Sequence, residues 1–204
     1  MELKGLVLAG GQSTRMGQPK GLLQLDNEPL YIRAIRNISP FCSSVSLSLR
    51  PEQMATFSPT LPGDVEVIQD EAGKDIGPAA GLLSAHKAHP DAHWLVFACD
   101  FPLATSGTFE QLVKSYQEPL TCFYDVMAEP LFAIWSPVAL RVLHSNVTEK
   151  NRTGPMATVK QVLAGEGMQP GGRNLILAER KEWLRNSNTP EEWQEVLRIH
   201  ATST

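Results

Sequence analysis

LAGGQSTRMGQPK, residues Leu8 to Lys20, closes a short apolar run with two glycines and then places an arginine, a third glycine and a lysine in one loop. The run before it, Gly5 to Ala9, reads as a buried strand. A buried strand that stops in paired glycines begins a strand–loop–helix unit of an open α/β sheet, and such sheets bind ligands at the carboxyl ends of their strands. Gly10 and Gly11 let the backbone approach phosphate oxygens with N–H groups pointing inward. Arg15 and Lys20 add fixed positive charge. The loop departs from both familiar phosphate patterns. It lacks the glycine–lysine pair of the Walker loop and the G-x-G-x-x-G of dinucleotide sites. A plain turn flanked by solvated cations is the competing reading of the same residues.

Outward from this loop, apolar runs punctuated by glycine, proline and aspartate alternate with stretches of helical period. Strands are predicted at Gly5 to Ala9, Val45 to Leu49, Val65 to Ile68, Trp94 to Cys99, Thr121 to Val126 and Leu131 to Trp135. After Pro29, Tyr31, Ala34, Ile35 and Ile38 mark one apolar face of a helix. Further helices are predicted at Ala79 to Ala88, Ser106 to Tyr116, Pro137 to Leu143, Gly154 to Leu163 and Pro190 to His200. In the last, Asn188 or Thr189 can cap a helix whose first turn carries Glu191 and Glu192. Ser58 to Asp64, Asp70 to Gly77 and Gly165 to Arg173 have no regular period and are expected to be loops.

With 204 residues, 42% of them hydrophobic, the chain can bury a substantial core, and one domain over residues 1–204 is expected. A formal net charge of -4 argues against coating nucleic acid or an anionic membrane, so an anionic ligand must be caught locally. Cys42, Cys99 and Cys122 form no close-spaced pair, which suits a reducing cytoplasm. The start, MELKGLVLAGG, resembles neither a signal peptide nor a membrane span.

The string LAGGxSxRMGxxK resembles the amino-terminal signature of nucleotidyltransferases that act on sugars and cofactors. Length and later motifs are most similar to the molybdenum cofactor guanylyltransferases. QDEAGKDIGPAAG (Gln69 to Gly81) resembles that family's aspartate and glycine-proline turn, and VFACDFP (Val96 to Pro102) its strand ending in aspartate-x-proline. EPLFAIW (Glu129 to Trp135) resembles its acceptor-side strand, and NSNTPEEW (Asn186 to Trp193) its asparagine-rich lead into the final helix. The resemblance implies a Rossmann-like three-layer α/β/α sandwich with a mostly parallel central sheet, of the nucleotide-diphospho-sugar transferase type. Its nucleotide-binding half would cover about residues 1–105 and its acceptor half about 106–204. One departure stands out: Leu47 lies where some members carry a guanine-reading asparagine.

Asp100 ends the most apolar strand, WLVFACD, where a carboxylate is costly unless paired or bound to a cation. Magnesium suits it, because that ion takes one or two carboxylates together with phosphate oxygens and water. Capping of a turn is the alternative. The resemblance implies metal binding by Asp100, with Asn188 as a second ligand or as a helix cap. It also implies nucleotide contacts from Leu8, Ala9, Gly10, Gly11, Lys20, Asp70, Gly77, Pro78, Gly81 and Asp100, and catalytic roles for Arg15, Lys20 and Asp100. His86, His89 and His93 have a metal-like spacing but sit around a helix end where histidines are ordinary. Cys99 is expected to be a buried structural thiol.

The activity implied is magnesium-dependent transfer of GMP from GTP to the terminal phosphate of molybdenum-molybdopterin, with release of pyrophosphate. Cytidylyl transfer to the same cofactor, transfer to a sugar phosphate, and nucleotide binding without turnover are the alternatives. A monomer is expected, with transient contacts to proteins that deliver or receive the cofactor.

Overall fold

The computed structural model describes residues 2–11, 17–70 and 76–203. The chain runs from β1 (Leu3–Leu8) through a two-stranded hairpin of β2 (Gln24–Leu25) and β3 (Glu28–Pro29) into α1 (Leu30–Ile38). Then come β4 (Val45–Leu49), the short α2 (Met54–Phe57), β5 (Glu66–Gln69), α3 (Ala79–Ala88) and β6 (His93–Ala98). The remainder is α4 (Ser106–Lys114), β7 (Leu120–Tyr124), β8 (Ala128–Trp135), α5 (Pro137–Thr148), α6 (Pro155–Val162), β9 (Leu175–Leu177) and α7 (Pro190–Ser203).

Seven strands form one sheet in the order β5-β4-β1-β6-β8-β7-β9. Only the pairings of β8 with β6 and with β7 are antiparallel; the rest are parallel. Strands buried on both faces must be apolar on both, which is why LVL and WLVFA read as continuous runs. Alternation divides them between two cores. Val7, Leu47, Leu95 and Phe97 face the layer of α1 and α4, whereas Leu6, Trp94 and Val96 face α3, α5 and α6.

The chain builds outward from β1 to β4 and β5, then returns to place β6 on the other side of β1. That reversal is the topological switch point, where open α/β sheets leave a crevice at the carboxyl ends of the strands. Register aligns the exits: Leu8 pairs with Ala98, and the Cys99 N–H donates to the Leu8 carbonyl at 3.2 Å. Gly10 and Asp100 therefore leave the sheet side by side.

Five phenylalanines lock β6, β7 and β8 to α4. The Phe132 ring lies 4.7 Å from Phe97, 5.4 Å from Phe101, 5.3 Å from Phe109 and 4.8 Å from Phe123, centre to centre, and is fully buried. Removing it opens a cavity that four rigid neighbours cannot fill. Phe132→Ala should cost about 3–5 kcal/mol, measured by urea denaturation.

Several boundaries differ from the sequence expectation for identifiable reasons. The hairpin of β2 and β3 turns through Asp26 (φ 54) and Asn27 (φ 62), a tight turn whose two-residue strands are too short to show alternation. The strand expected to run to Val126 ends at Tyr124, because Asp125 N–H donates to the Met127 carbonyl and turns the chain into β8. Helix α5 continues past Leu143 to Thr148, since Asn146 is buried and donates to Thr158 Oγ1 of α6 at 3.0 Å. Strand β9 was missed: three residues at a sheet edge carry too little pattern.

Candidate nucleotide site

The carboxyl ends of β1, β4, β5 and β6 surround a cavity of about 210 Å³. Leu8 ends β1 and Ala9, Gly10 and Gly11 follow it; Ser48 lies in β4 and Arg50 just past it; Asp70 follows β5; Cys99 and Asp100 follow β6. Gly77, Pro78 and Gly81 bring the start of α3 to the rim, and Lys20 and Leu131 complete it. Every residue that the sequence resemblance assigned to nucleotide contact thus lines one cavity. Arg15 lies outside the described residues.

Among the described residues, a Cβ added at Gly11 would meet no atom within 4 Å, and one at Gly10 would make only ordinary contacts, the nearest 3.4 Å away. Packing by the described residues therefore does not demand these glycines; close approach of a ligand to the backbone would. Gly81 differs. A Cβ there would lie 2.8 Å from Leu8 Cδ2 and closer still to Ser48 Oγ, so the bare backbone lets α3 lie directly on β1 and β4. Gly77 has φ 59, a conformation that side chains other than glycine's rarely tolerate, and it turns the chain from the cavity into α3.

Asp100 presents the least satisfied polar atom of the site. Its Oδ1 is buried with no hydrogen-bond partner among the described residues, while Oδ2 accepts from Lys20 Nζ at 3.5 Å. Burial pushes the carboxyl above the usual range, and the Lys20 ammonium opposes that shift. Lys20 Nζ also donates to Asn188 Oδ1. Asn188 is thus brought beside Asp100 and does not cap α7. Thr189 is the cap: its Oγ1 accepts from the Glu192 N–H, and Glu192 returns its carboxylate to the Thr189 N–H. The segment is pinned to the strand end by the Ser187 N–H, which donates to the Asp100 carbonyl at 3.0 Å. An orphaned buried carboxylate oxygen and a nearby amide oxygen are a donor set that fits a hard divalent cation sharing phosphate oxygens.

Asp70 is held differently. Its Oδ1 accepts from Ser48 Oγ at 3.0 Å, and burial raises its pKa. Ser48 and Arg50 escaped the sequence reading, although the alternation Ser46-Leu47-Ser48-Leu49-Arg50 carries the signal: Leu47 is fully buried in the core facing α1, so the serines must face α3. Leu47 accordingly cannot touch a nucleotide. Glu129 was quoted only as part of a motif; its carboxyl is pushed up to about 7, mainly by burial and then by Asp100 and Asp125.

The histidines do not converge. His93 pairs with Glu118 at 2.8 Å and His89 lies 3.5 Å from Glu66. Among the described residues, no group of three or more histidine, cysteine, aspartate or glutamate side chains is placed to hold a metal. Cys99 is buried, with its thiol pushed up to about 12 by desolvation, which is inert thiol chemistry. Cys42, Cys99 and Cys122 are all free thiols.

The chain is 34% identical over 208 residues to the molybdenum cofactor guanylyltransferase of Serratia proteamaculans, covering 95% of each chain. It is 30% identical over 200 residues to a molybdenum cofactor biosynthesis bifunctional protein of Synechocystis, covering 95% of this chain and 53% of that longer protein. It thus spans about half the length of that relative. In fold, it matches molybdopterin-guanine dinucleotide biosynthesis protein A of Archaeoglobus fulgidus with a TM-score of 0.75 at 20% identity, covering 98% of this chain and 99% of that one. A nucleotidyl transferase of Methanothermobacter matches with a TM-score of 0.72 at 16% identity, covering 100% of this chain and 99% of that one. The family described as the MobA-like NTP transferase domain matches residues 5–166. With Gly10, Gly11 and Lys20 of the signature lining its switch-point cavity, the chain belongs to the MobA-like NTP transferase family and is a nucleotidyltransferase.

Proposed function

We propose that this enzyme transfers GMP from GTP to the terminal phosphate of molybdenum-molybdopterin and releases pyrophosphate. The observation that carries this reading is the convergence of Gly10, Lys20 and Asp100 on one cavity, with Asp100 Oδ1 buried and without a partner among the described residues. The named relatives supply the acceptor class.

A phosphate monoester has its second pKa near ~6 and is already a competent dianionic nucleophile at neutral pH. Its obstacle is repulsion from the triphosphate. Backbone N–H groups at Gly10 and Gly11, with the ammonium of Lys20, bind phosphate oxygens and stabilise negative charge as pyrophosphate leaves. Arg15, in the same signature, adds a further cation to that role. Asp100 and Asn188 would hold magnesium, which when bound supplies Lewis-acid stabilisation of the phosphoryl oxygens. Asp70 accepts from the base. Guanine offers two adjacent N–H donors on its pairing edge, whereas cytosine offers one beside an acceptor, so a carboxylate already oriented by Ser48 favours guanine without an asparagine at position 47. The acceptor enters from the side of Leu131 and Glu129. The protein acts as a monomer in the cytoplasm and meets cofactor-delivering and cofactor-receiving proteins transiently.

Competition among GTP, CTP, ATP and UTP in a pyrophosphate-release assay with magnesium and molybdenum-molybdopterin tests this directly. GTP should be preferred, and chelation of magnesium should stop release. GTP with magnesium should also raise the melting temperature most, because a ligand of the native state stabilises it. Preference for CTP would move the assignment to cytidylyl transfer. Turnover only with a sugar phosphate would overturn the acceptor, and tight binding without release under any acceptor would overturn catalysis.

A further inference from the structure

We propose, on the reading that a guanine nucleotide fills the cavity, that Arg50 is a specificity-determining residue that donates to guanine O6 while Asp70 accepts from the neighbouring N–H groups. Arg50 and Asp70 leave adjacent parallel strands in register: Leu49 pairs with Gln69, and the Asp70 N–H donates to the Leu49 carbonyl at 3.1 Å. Alternation puts them on one face. Ile68, two residues before Asp70, lies in the core facing α3, and Ser48, whose hydroxyl reaches Asp70, stands two residues before Arg50. The backbone is still extended at Arg50 (φ -72, ψ 148), so the alternation carries through to it. Both side chains line the nucleotide cavity. Paired strands lie about 4.8 Å apart, a spacing comparable with the width of a base's pairing edge.

The two groups stand close without closing on each other. The Arg50 guanidinium opposes the rise that burial imposes on the Asp70 pKa, yet no ion pair joins the two side chains among the described residues. Exposed Glu52 lies 4.0 Å from Arg50 Nη1. Local packing fixes both stems: Ser48 Oγ donates to one Asp70 oxygen, and the Arg50 side chain passes over Gly10, where an added Cβ would lie 3.5 Å from its Cγ. A cation beside a carboxylate is a template for an acceptor beside donors. Guanine presents O6 next to N1–H and the 2-amino group, so a guanidinium meets the first and a carboxylate takes both of the others. No other base offers that order. Adenine sets a ring nitrogen acceptor next to its amino donor, cytosine has two acceptors beside its amino group, and uracil flanks one donor with two acceptors, so each turns an acceptor toward the carboxylate. The unpaired acceptor is what rejects them.

Calorimetric titration of the full chain with magnesium and triphosphates, in the absence of any acceptor, reads this pair separately from turnover. The parent should bind GTP about tenfold more tightly than 6-thio-GTP, whose sulfur is a poor acceptor, and about tenfold more tightly than ITP, which lacks the 2-amino donor. Arg50→Met should bring the first ratio to about one and keep the second. Asp70→Ala should do the reverse, and the ratio kept in each variant shows that its base pocket is still folded. Should Arg50→Met fail to fold, Arg50→Lys, which retains the stem and the charge but loses the planar fork, should lower the first ratio alone. Equal weakening of GTP, 6-thio-GTP and ITP in the Arg50 variants, with both ratios kept, would make Arg50 a phosphate-binding cation and overturn this role while GTP remains the substrate. Tighter binding of CTP than of GTP by the parent would instead overturn the guanylyl reading, and the role of Arg50 with it.

Discussion

Asp100→Asn should lower nucleotidyl transfer by about two to four orders of magnitude while leaving the protein at least as stable at neutral pH. Loss of one electrostatic stabiliser from a preorganised site typically costs about 10²–10³ in turnover, and loss of the anchor for a phosphate-bridging cation costs more. Stability moves the other way because the carboxylate is poorly served by the fold. Its side chain is 24% exposed, Oδ1 has no partner, and Lys20 at 3.5 Å is its one cation among the described residues. Asparagine keeps the shape and removes the buried charge.

The sign of the pH dependence follows from the raised pKa of Asp100. A carboxyl whose folded pKa lies above its unfolded value near ~3.9 favours folding in its protonated form. That stability is fully present below the unfolded pKa and is lost as pH rises through the folded one. The asparagine variant escapes the loss. Thermal melts should therefore show parent and variant converging near about pH 4, with the variant equal or higher at pH 7. GTP with magnesium should restore the parent's melting temperature more than the variant's. A variant that melts lower than the parent at pH 7 would make Asp100 a structural ion-pair partner, and near-parental turnover would remove it from the chemistry.

Much of this site was legible in the sequence because its parts sit at strand ends. A strand's carboxyl end is marked locally, by glycine after Leu8-Ala9, by aspartate after Val65 to Gln69 and by aspartate before Pro102. Once β1 and β6 are neighbours, those local marks become one cavity. What sequence could not supply was the identity of neighbours. The resemblance of NSNTPEEW placed Asn188 near Asp100 as one of two readings, but no residue type in 184–189 announces that Ser187 would bond the backbone of Asp100, or that Asn188 would meet Lys20 across 168 positions of chain. Asn188 and Thr189 are equally good caps by residue type; the choice is made by Glu192, which reaches back to the Thr189 N–H and leaves the asparagine side chain for the site. Ser48 was hidden for a related reason. Its role depends on which face of β4 meets α3, and that face is decided by the burial of Leu47 against α1. Strand β9 and the hairpin of β2 and β3 were lost to shortness alone.

Lys20→Met should be the more damaging substitution, since it strikes both catalysis and the integrity of the site. The Lys20 side chain is only 15% exposed, and its ammonium joins Asp100 Oδ2 to Asn188 Oδ1. Methionine retains the apolar stem and deletes the charge. Turnover should fall by about two to four orders of magnitude, with weaker GTP binding, because the cation proposed to bind phosphate is lost. Stability should fall by about 1–2 kcal/mol, less than for a fully buried pair, as Asp100 keeps its buried oxygen and loses its counter-charge while retaining partial access to water. The opposite signs expected for the two single variants give a sharp test. In the double variant Lys20→Met, Asp100→Asn, the stranded charge is gone, so urea denaturation should return close to parental stability while activity stays absent. A double-mutant cycle isolates that coupling. Additive stabilities would mean that the ammonium and the carboxylate do not interact in the folded protein, and the common triphosphate and metal site would lose its physical basis.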